Sequence, residues 1–402
     1  MSQVASALDP ALLRGDPVAW TRALIAIPSV NPDLEAGGRG EGEMADFLRP
    51  YLDAWGFRVR RTEPAPGRVC LVAHLGDGSP TLALCGHLDT VGVEGMSIPP
   101  FGAEERGGRL HGRGAADMKS GLAAILCAAA ETAASGGPGR GTLALVFTAD
   151  EENASLGLRH LLDGGLTADG VVVAEPTELA IAPASKGFLW LRVQATGRAA
   201  HGSRPDSGRD AIRQVGRVLA ALDTDDLGVE SGASSPHPLL GRGSLHAGTI
   251  RGGVAASVYP ASCTLVLEAR LLPGQDADPV RDRLDRLLDR VEAAHPGVPL
   301  AAEMDMVRPG AELGADSPLF LGLAAAIGEE GLPVRTEGMS AWVESAWFME
   351  AGIPALCFGP GSIGDAHTSD ESVAVDEIRA AARVLSRLVR GQLAPRPPAD
   401  PS

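Results

Sequence analysis

The sequence predicts an α/β protein in which a smaller, ferredoxin-like domain interrupts a larger one. Three observations carry that prediction. Short apolar runs typical of buried strands each lead into a polar loop. A helical stretch separates the first two of those runs. The middle of the chain follows a different order, β-α-β-β-α-β.

The first buried strand is Thr81–Cys85 (TLALC). A helix is expected from Met118 to about Ala134, with Met118, Leu122, Ile125 and Ala129 on one face. Leu143–Thr148 (LALVFT) and Val171–Ala174 (VVVA) read as the next strands. Strands alternating with helices predict a sheet covered on both sides. In the middle, Phe188–Thr196 reads as a strand and Arg209–Leu222 as a helix with Ile212, Val215, Val218 and Leu219 on its apolar face. Ser244–Ile250 and Cys263–Leu272 are strands joined through Gly252-Gly253. Pro279–Ala294 is an amphipathic helix with Val280, Leu284, Leu287, Leu288 and Val291 in register, and Leu300–Val307 is a last strand. The first pattern then resumes, with helices near Pro318–Glu330 and Glu377–Gln392 around the strand Ala355–Phe358 (ALCF). The expected division is 1–185 and 308–393 for the larger domain, 186–307 for the insertion, and a Pro-rich disordered tail at 394–402.

The chain has 402 residues, a formal net charge of −16 and 45% hydrophobic residues, which suits a globular protein of about two domains. The acidic balance argues against nucleic acid and against anionic membrane surfaces as partners. Asp9, Arg14 and Asp16 interrupt any signal-peptide core, and the longest apolar run, Leu122–Ala130, is too short to span a bilayer. Five cysteines (70, 85, 127, 263 and 357) are scattered without a CxxC pair. That pattern argues against a disulfide framework or a thiolate zinc site, and predicts a soluble, cytoplasmic protein.

Ionisable residues collect just after the strand ends. His87 and Asp89 follow TLALC, Glu151 and Glu152 follow LALVFT, Glu175 follows VVVA, and His367 follows ALCF through a loop. Asp117 directly precedes its helix. The carboxyl ends of strands are where open α/β sheets bind ligands. So many carboxylates around one crevice repel each other unless protonated or neutralised by cations. Two imidazoles with several carboxylates form a mixed N/O set suited to zinc, cobalt or manganese. Glu151 and Glu152 point in different directions, so one can bind metal while the other faces an activated water.

These segments resemble a known family. GHLDTV (86–91), GRGAADMKSG (112–121), FTADEE (147–152), AEPTE (174–178), GRAAHGSRPDSGRDAI (197–212) and GIPALCFGPG…AHTSDE (352–371) are similar, in order and spacing, to the metallopeptidase family of acetylornithine deacetylase, succinyl-diaminopimelate desuccinylase, aminoacylase and glutamate carboxypeptidase. The resemblance implies a zinc-peptidase-like α/β catalytic domain with an inserted lid and dimerisation domain. It implies that Asp117 bridges two divalent metals, most often zinc, with His87 and Glu175 completing one site and Glu152 and His367 the other. Asp89 would orient His87, and Glu151 would be the general base. His201, in the segment similar to GxxAHxS, would help hold the tetrahedral oxyanion, often across a dimer interface; a helix-capping role is the alternative. Arg270 would grip a substrate carboxylate, or else be an ordinary strand arginine on an exposed face.

The implied activity is a two-metal amide hydrolase that removes an N-acyl group from an amino-acid-like substrate with a free carboxylate. A dipeptidase or carboxypeptidase of the same family is the alternative, and a non-catalytic binding protein that keeps the fold is a third reading. Departures fall on substrate contacts. Ser257 stands where the family has Asn before Val-x-Pro, Glu268 stands for Asp, and Gly338-Met339-Ser340 departs from the desuccinylase pattern. Gly359–Gly364 formally matches GxGxxG, but no helix opens there to hold a phosphate.

Overall fold

The computed structural model describes residues 8–231 and 235–394, which divide into two compact units. The Pro-rich tail expected to be disordered lies outside the described residues from 395 onward.

The larger unit is built on a mixed sheet ordered Arg58–Ala65, Arg68–Asp77, Gly141–Thr148, Thr81–His87, Gly170–Val173, Ala355–Cys357 and Ile181–Ser185. Thr81–His87 runs parallel to both of its neighbours, and Ala355–Cys357 runs parallel to Gly170–Val173. Four strand carboxyl ends therefore share one edge. Every residue of Gly141–Thr148 is buried, which requires cover on both faces. Ser120–Ala134, Val375–Gln392 and Pro318–Glu329 supply part of that cover through one apolar core with Leu122, Leu323 and Leu385 fully buried. Sequence dictates several starts: Ser317 and Asp16 cap their helices with a side-chain oxygen, and proline takes the first helical position in both.

The helix expected from Met118 begins later. Asp117 (φ −119, ψ 98) and Met118 (φ −129, ψ 37) are not helical, and the regular helix is Ser120–Ala134. Gly114, at φ +79, opens this turn, and a Cβ there would meet Thr90 and Lys119 within 2.9 Å. The hairpin Arg58–Ala65/Arg68–Asp77 and the helices Pro17–Ile25, Gly42–Ala54, Leu156–Asp163 and Ser345–Glu350 are additions to the elements expected from sequence.

The smaller unit has a four-stranded sheet ordered Ser244–Gly252, Ser262–Leu271, Gly187–Thr196, Leu300–Arg308, all antiparallel. Gly187–Thr196 buries alternate residues, and its inward side chains Leu189, Leu191 and Val193 share a core with Ala211–Leu222 and Ala277–Ala294. The order of elements is the split β-α-β-β-α-β unit. Residues 338–342, placed with the larger domain in the sequence reading, count with this unit beside 184–311.

Candidate metal centre

Each expected site residue of the larger unit sits where a strand or turn has just ended. His87 is the last residue of its strand, and Leu88 N–H still donates to Thr148 C=O at 2.9 Å, so two strand ends stay joined beyond the ladder. Beyond Thr148 the chain turns through Asp150 at φ 67, and the two glutamates follow. Glu175 lies two residues past Gly170–Val173, and His367 sits at φ 62 in the loop after Ala355–Cys357.

Asp117 is the hub. Its Oδ1 lies 3.0 Å from His87 Nε2, and its Oδ2 lies 3.3 Å from His367 Nε2. His367 Nε2 is also 3.0 Å from Glu152 Oε2. His87, Asp117 and Glu152 each offer a donor atom, all within 4.8 Å of one another. Glu175 is buried and its Oε1 has no hydrogen-bond partner.

The electrostatics follow from crowding. Burial works against charge on His87 and His367, yet hydrogen bonds to Asp117 override it and raise both imidazoles, His367 to about 10. Burial also opposes the Asp117 charge, and the His367 and His87 hydrogen bonds outweigh it, holding that carboxyl well below the usual range. Burial pushes Glu175 up to about 8, with the Asp117 charge adding to it. Burial likewise raises Glu151, helped by the charges of Glu175 and Glu152 and opposed by His87. Crowding thus raises the proton affinity of Glu151 and Glu175, and divalent cations would relieve the same repulsion. The donors fit such ions: two imidazoles and three carboxylates, one of which, Glu175, has a buried oxygen that no hydrogen-bond donor reaches.

Asp89 supports the centre in a way the sequence reading did not foresee. His87 Nδ1 lies 3.0 Å from the main-chain carbonyl of Asp89 and 3.6 Å from its carboxylate. The carboxylate instead accepts from Glu151 N–H at 3.2 Å, Glu152 N–H at 3.3 Å and Asn31 Nδ2 at 2.8 Å. One residue thus orients the imidazole with its backbone and the two glutamates with its side chain.

The profile of Peptidase family M20/M25/M40 matches residues 83–391. The chain belongs to this family. An acetylornithine deacetylase of Proteus mirabilis (strain HI4320) is 30% identical over 374 residues, covering 92% of this chain and 94% of that protein. Among solved structures, the aminopeptidase PepT of Bacillus cereus ATCC 10987 superposes with a TM-score of 0.77 at 18% identity, covering 95% and 99% of the two chains. A dinuclear metal-binding peptidase of the M20 family from Bacillus subtilis superposes at 0.72 with 15% identity, covering 96% and 99%. This M20-family chain is therefore a metal-dependent hydrolase acting on amide or peptide bonds.

The remaining expected residues of this M20-family protein lie in its smaller unit. His201 is exposed, its Nδ1 lies 2.8 Å from Ser203 Oγ, and it pairs with Val258. The neighbouring Gly202 N–H donates to the Ser257 carbonyl at 2.7 Å, so His201 and Ser257 share one exposed corner. Arg270 stands apart from them on the strand Ser262–Leu271. Its guanidinium lies 5.2 Å from the Phe188 ring centroid, and its Nε is 2.6 Å from Glu268 Oε1. Glu268 Oε2 accepts from Trp190 Nε1 at 2.8 Å, so the carboxylate that departs from the family pattern holds the arginine in place.

Arg68, Asn31, Glu344 and Glu371 support the centre without having been singled out from sequence. Buried Arg68 reaches Glu41 at 2.9 Å, Asp150 at 2.8 Å and Asn31 at 2.8 Å. Glu344 accepts from Thr148 Oγ1 at 2.6 Å and Ser155 Oγ at 2.7 Å, bracketing the segment that carries Glu151 and Glu152. Glu371, within AHTSDE, was the one with a visible signal, since it shares a segment with His367.

Proposed function

We propose that this hydrolase uses two divalent metal ions to remove an N-acyl group from an amino-acid-like substrate with a free carboxylate, as an acetylornithine-deacetylase-like enzyme. The carrying observation is Asp117, with one imidazole at each of its oxygens. Asp117 would be shared between two cations, with His87 and Glu175 helping to hold one and Glu152 and His367 the other. When bound, a pair of divalent cations supplies Lewis acidity to the scissile carbonyl and to the attacking water. On the resemblance, Glu151 is assigned to accept the attacking water's proton and deliver it to the leaving amine. Asp89 keeps Glu151 and Glu152 facing apart by binding both of their amides.

On the resemblance, His201 is assigned to the oxyanion, and Arg270 and Ser257 to the substrate. The Arg270 guanidinium is already held by Glu268 and Phe188, which supports a recognition role because little freedom is left to lose on binding. Zinc is the assigned metal, with cobalt and manganese also suited to N/O donors. We further assign a cytoplasmic location and a homodimer formed through 186–307. Light scattering tests the dimer, since the monomer mass is 41.3 kDa.

The experiment is amine release by zinc- or cobalt-reconstituted protein from N-acetylornithine, N-succinyl-diaminopimelate, neutral N-acyl amino acids and dipeptides, with Glu151→Gln as blank. Turnover of an N-acyl amino acid, absent in the blank, is the expected result. Turnover of dipeptides alone would replace the deacylase with a peptidase. No turnover with both metals bound would favour a binding protein that keeps the fold.

A further inference from the structure

We propose that Glu371 is a positioning residue that sets the register between the turn presenting Asp117 and the loop presenting His367. The carboxylate is buried, 1% exposed, and accepts four hydrogen bonds. Arg113 Nη1 at 2.7 Å and Gly114 N–H at 3.0 Å bind Oε2, while Ala116 N–H at 2.9 Å and Asp117 N–H at 3.1 Å bind Oε1. The Glu371 main-chain carbonyl adds a fifth, from Gly112 N–H at 3.0 Å.

The turn needs an outside acceptor. Its backbone leaves the helical region at Asp117 and Met118 and is left-handed at Gly114, so a regular helical ladder cannot satisfy these amides. A single carboxylate does so for three of them. Arg113 pairs with the same carboxylate and is itself anchored, donating from Nε to Gly92 C=O at 2.9 Å. One of the amides bound belongs to Asp117, whose side chain stands between the two imidazoles. Glu371 follows His367 by four residues, so the same bonds that aim Asp117 also locate the histidine it meets.

This inference rests on the metal-centre reading, and the test separates the two. Cobalt(II) is titrated into chelated parent, Glu371→Gln, Glu371→Asp and Leu388→Ala proteins. Affinity and the visible ligand-field spectrum are read alongside thermal unfolding of the metal-free forms. A glutamine can serve only one pair of donors, because its NH2 faces the other pair. Glu371→Gln should bind cobalt about 10–100-fold more weakly, with an altered spectrum. Glu371→Asp keeps the charge on a shorter stem and should fall between it and the parent. Leu388→Ala, a cavity under the buried face of the helix Val375–Gln392, should lose thermal stability yet bind cobalt like the parent. Parent-like cobalt affinity and spectrum in either Glu371 variant, with only the melting temperature lowered, would reduce Glu371 to a loop staple and overturn the proposal. If Glu371→Gln does not fold, Glu371→Asp decides by the same criterion. A parent that binds no cobalt would instead sink the metal centre itself.

Discussion

Asn31 donates from Nδ2 to Asp89 Oδ2 at 2.8 Å, with both side chains buried. The same nitrogen lies 3.0 Å from Asp150 Oδ1, and the Asn31 carbonyl accepts from Arg68 at 2.8 Å. A neutral amide thus spaces two carboxylates and a guanidinium behind the centre. Asn31→Ala should lower stability by about 1–3 kcal/mol, the usual cost of stranding buried polar partners. It should also reduce turnover, because the Glu151–Glu152 amides hang on Asp89. Urea unfolding and steady-state kinetics check both effects; a parent-like midpoint would show that the amide is dispensable.

Glu151→Gln should retain both metals and lose on the order of 10²–10⁴ in turnover, the usual worth of a general base. Metal analysis beside kinetics decides it. Turnover close to the parent's would transfer the base role to another group.

His87→Ala and His367→Ala should both lower metal content, since each removes the one imidazole facing an oxygen of Asp117. Chelation of the parent should abolish activity, and added zinc or cobalt should restore it. Full metal occupancy in both variants, measured by elemental analysis, would remove the histidines from the ligand set.

Burial pushes the Glu344 carboxyl from 4.5 up to about 7, against the pull of the Thr148 and Ser155 hydroxyls. The folded chain therefore keeps a proton that the unfolded chain releases near 4.5. Stability from this group is complete below that value and is lost as pH rises through about 7. In Glu344→Gln, which imitates the protonated form, the metal-free unfolding free energy should fall less than the parent's over that window. Parallel curves from denaturant titrations at a series of pH values would show that Glu344 does not titrate there.

A Cβ on Gly121 would stand 2.0 Å from the Ala174 carbonyl oxygen, one residue before Glu175. Gly121→Ala should cost about 1–3 kcal/mol through overpacking, and it should weaken metal binding by displacing Glu175. Calorimetry with a metal titration tests it. An unchanged melting temperature would mean that the helix Ser120–Ala134 shifts freely.

A strand buried on both faces reads as a continuous apolar run and a half-buried helix as a repeat of three to four residues, so Leu143–Thr148 and Pro279–Ala294 were legible as a strand and an amphipathic helix. Arg58–Ala65 (RVRRTEPA) was not, because an edge strand with charged side chains and irregular burial carries no alternation to read. The ionisable cluster was legible because it follows the strand ends, where an α/β sheet gathers distant segments. Its supports were hidden for the opposite reason. Asn31 meets Asp89 across 58 residues, Arg68 meets Asp150 across 82, Thr148 meets Glu344 across 196, and Asp117 meets Glu371 across 254. A single polar residue announces its burial only when the rest of the chain has closed around it. The late start of the helix after Asp117 belongs to the same class, since the amides that interrupt it are satisfied by a residue near the other end of the chain.

The chain enters the smaller unit twice, at 184–311 and again at 338–342. Trp342, from the short second passage, meets Phe188 edge-on at 6.4 Å and takes the Arg308 guanidinium at 5.4 Å. The unit is therefore not a portable cassette. A polypeptide cut at 184 and 311 would take the Trp342 indole away from Phe188 and Arg308, and a graft into another scaffold would have to carry both passages. During synthesis, Trp342 becomes available to that aromatic face only after residues 312–337 of the larger unit have been made.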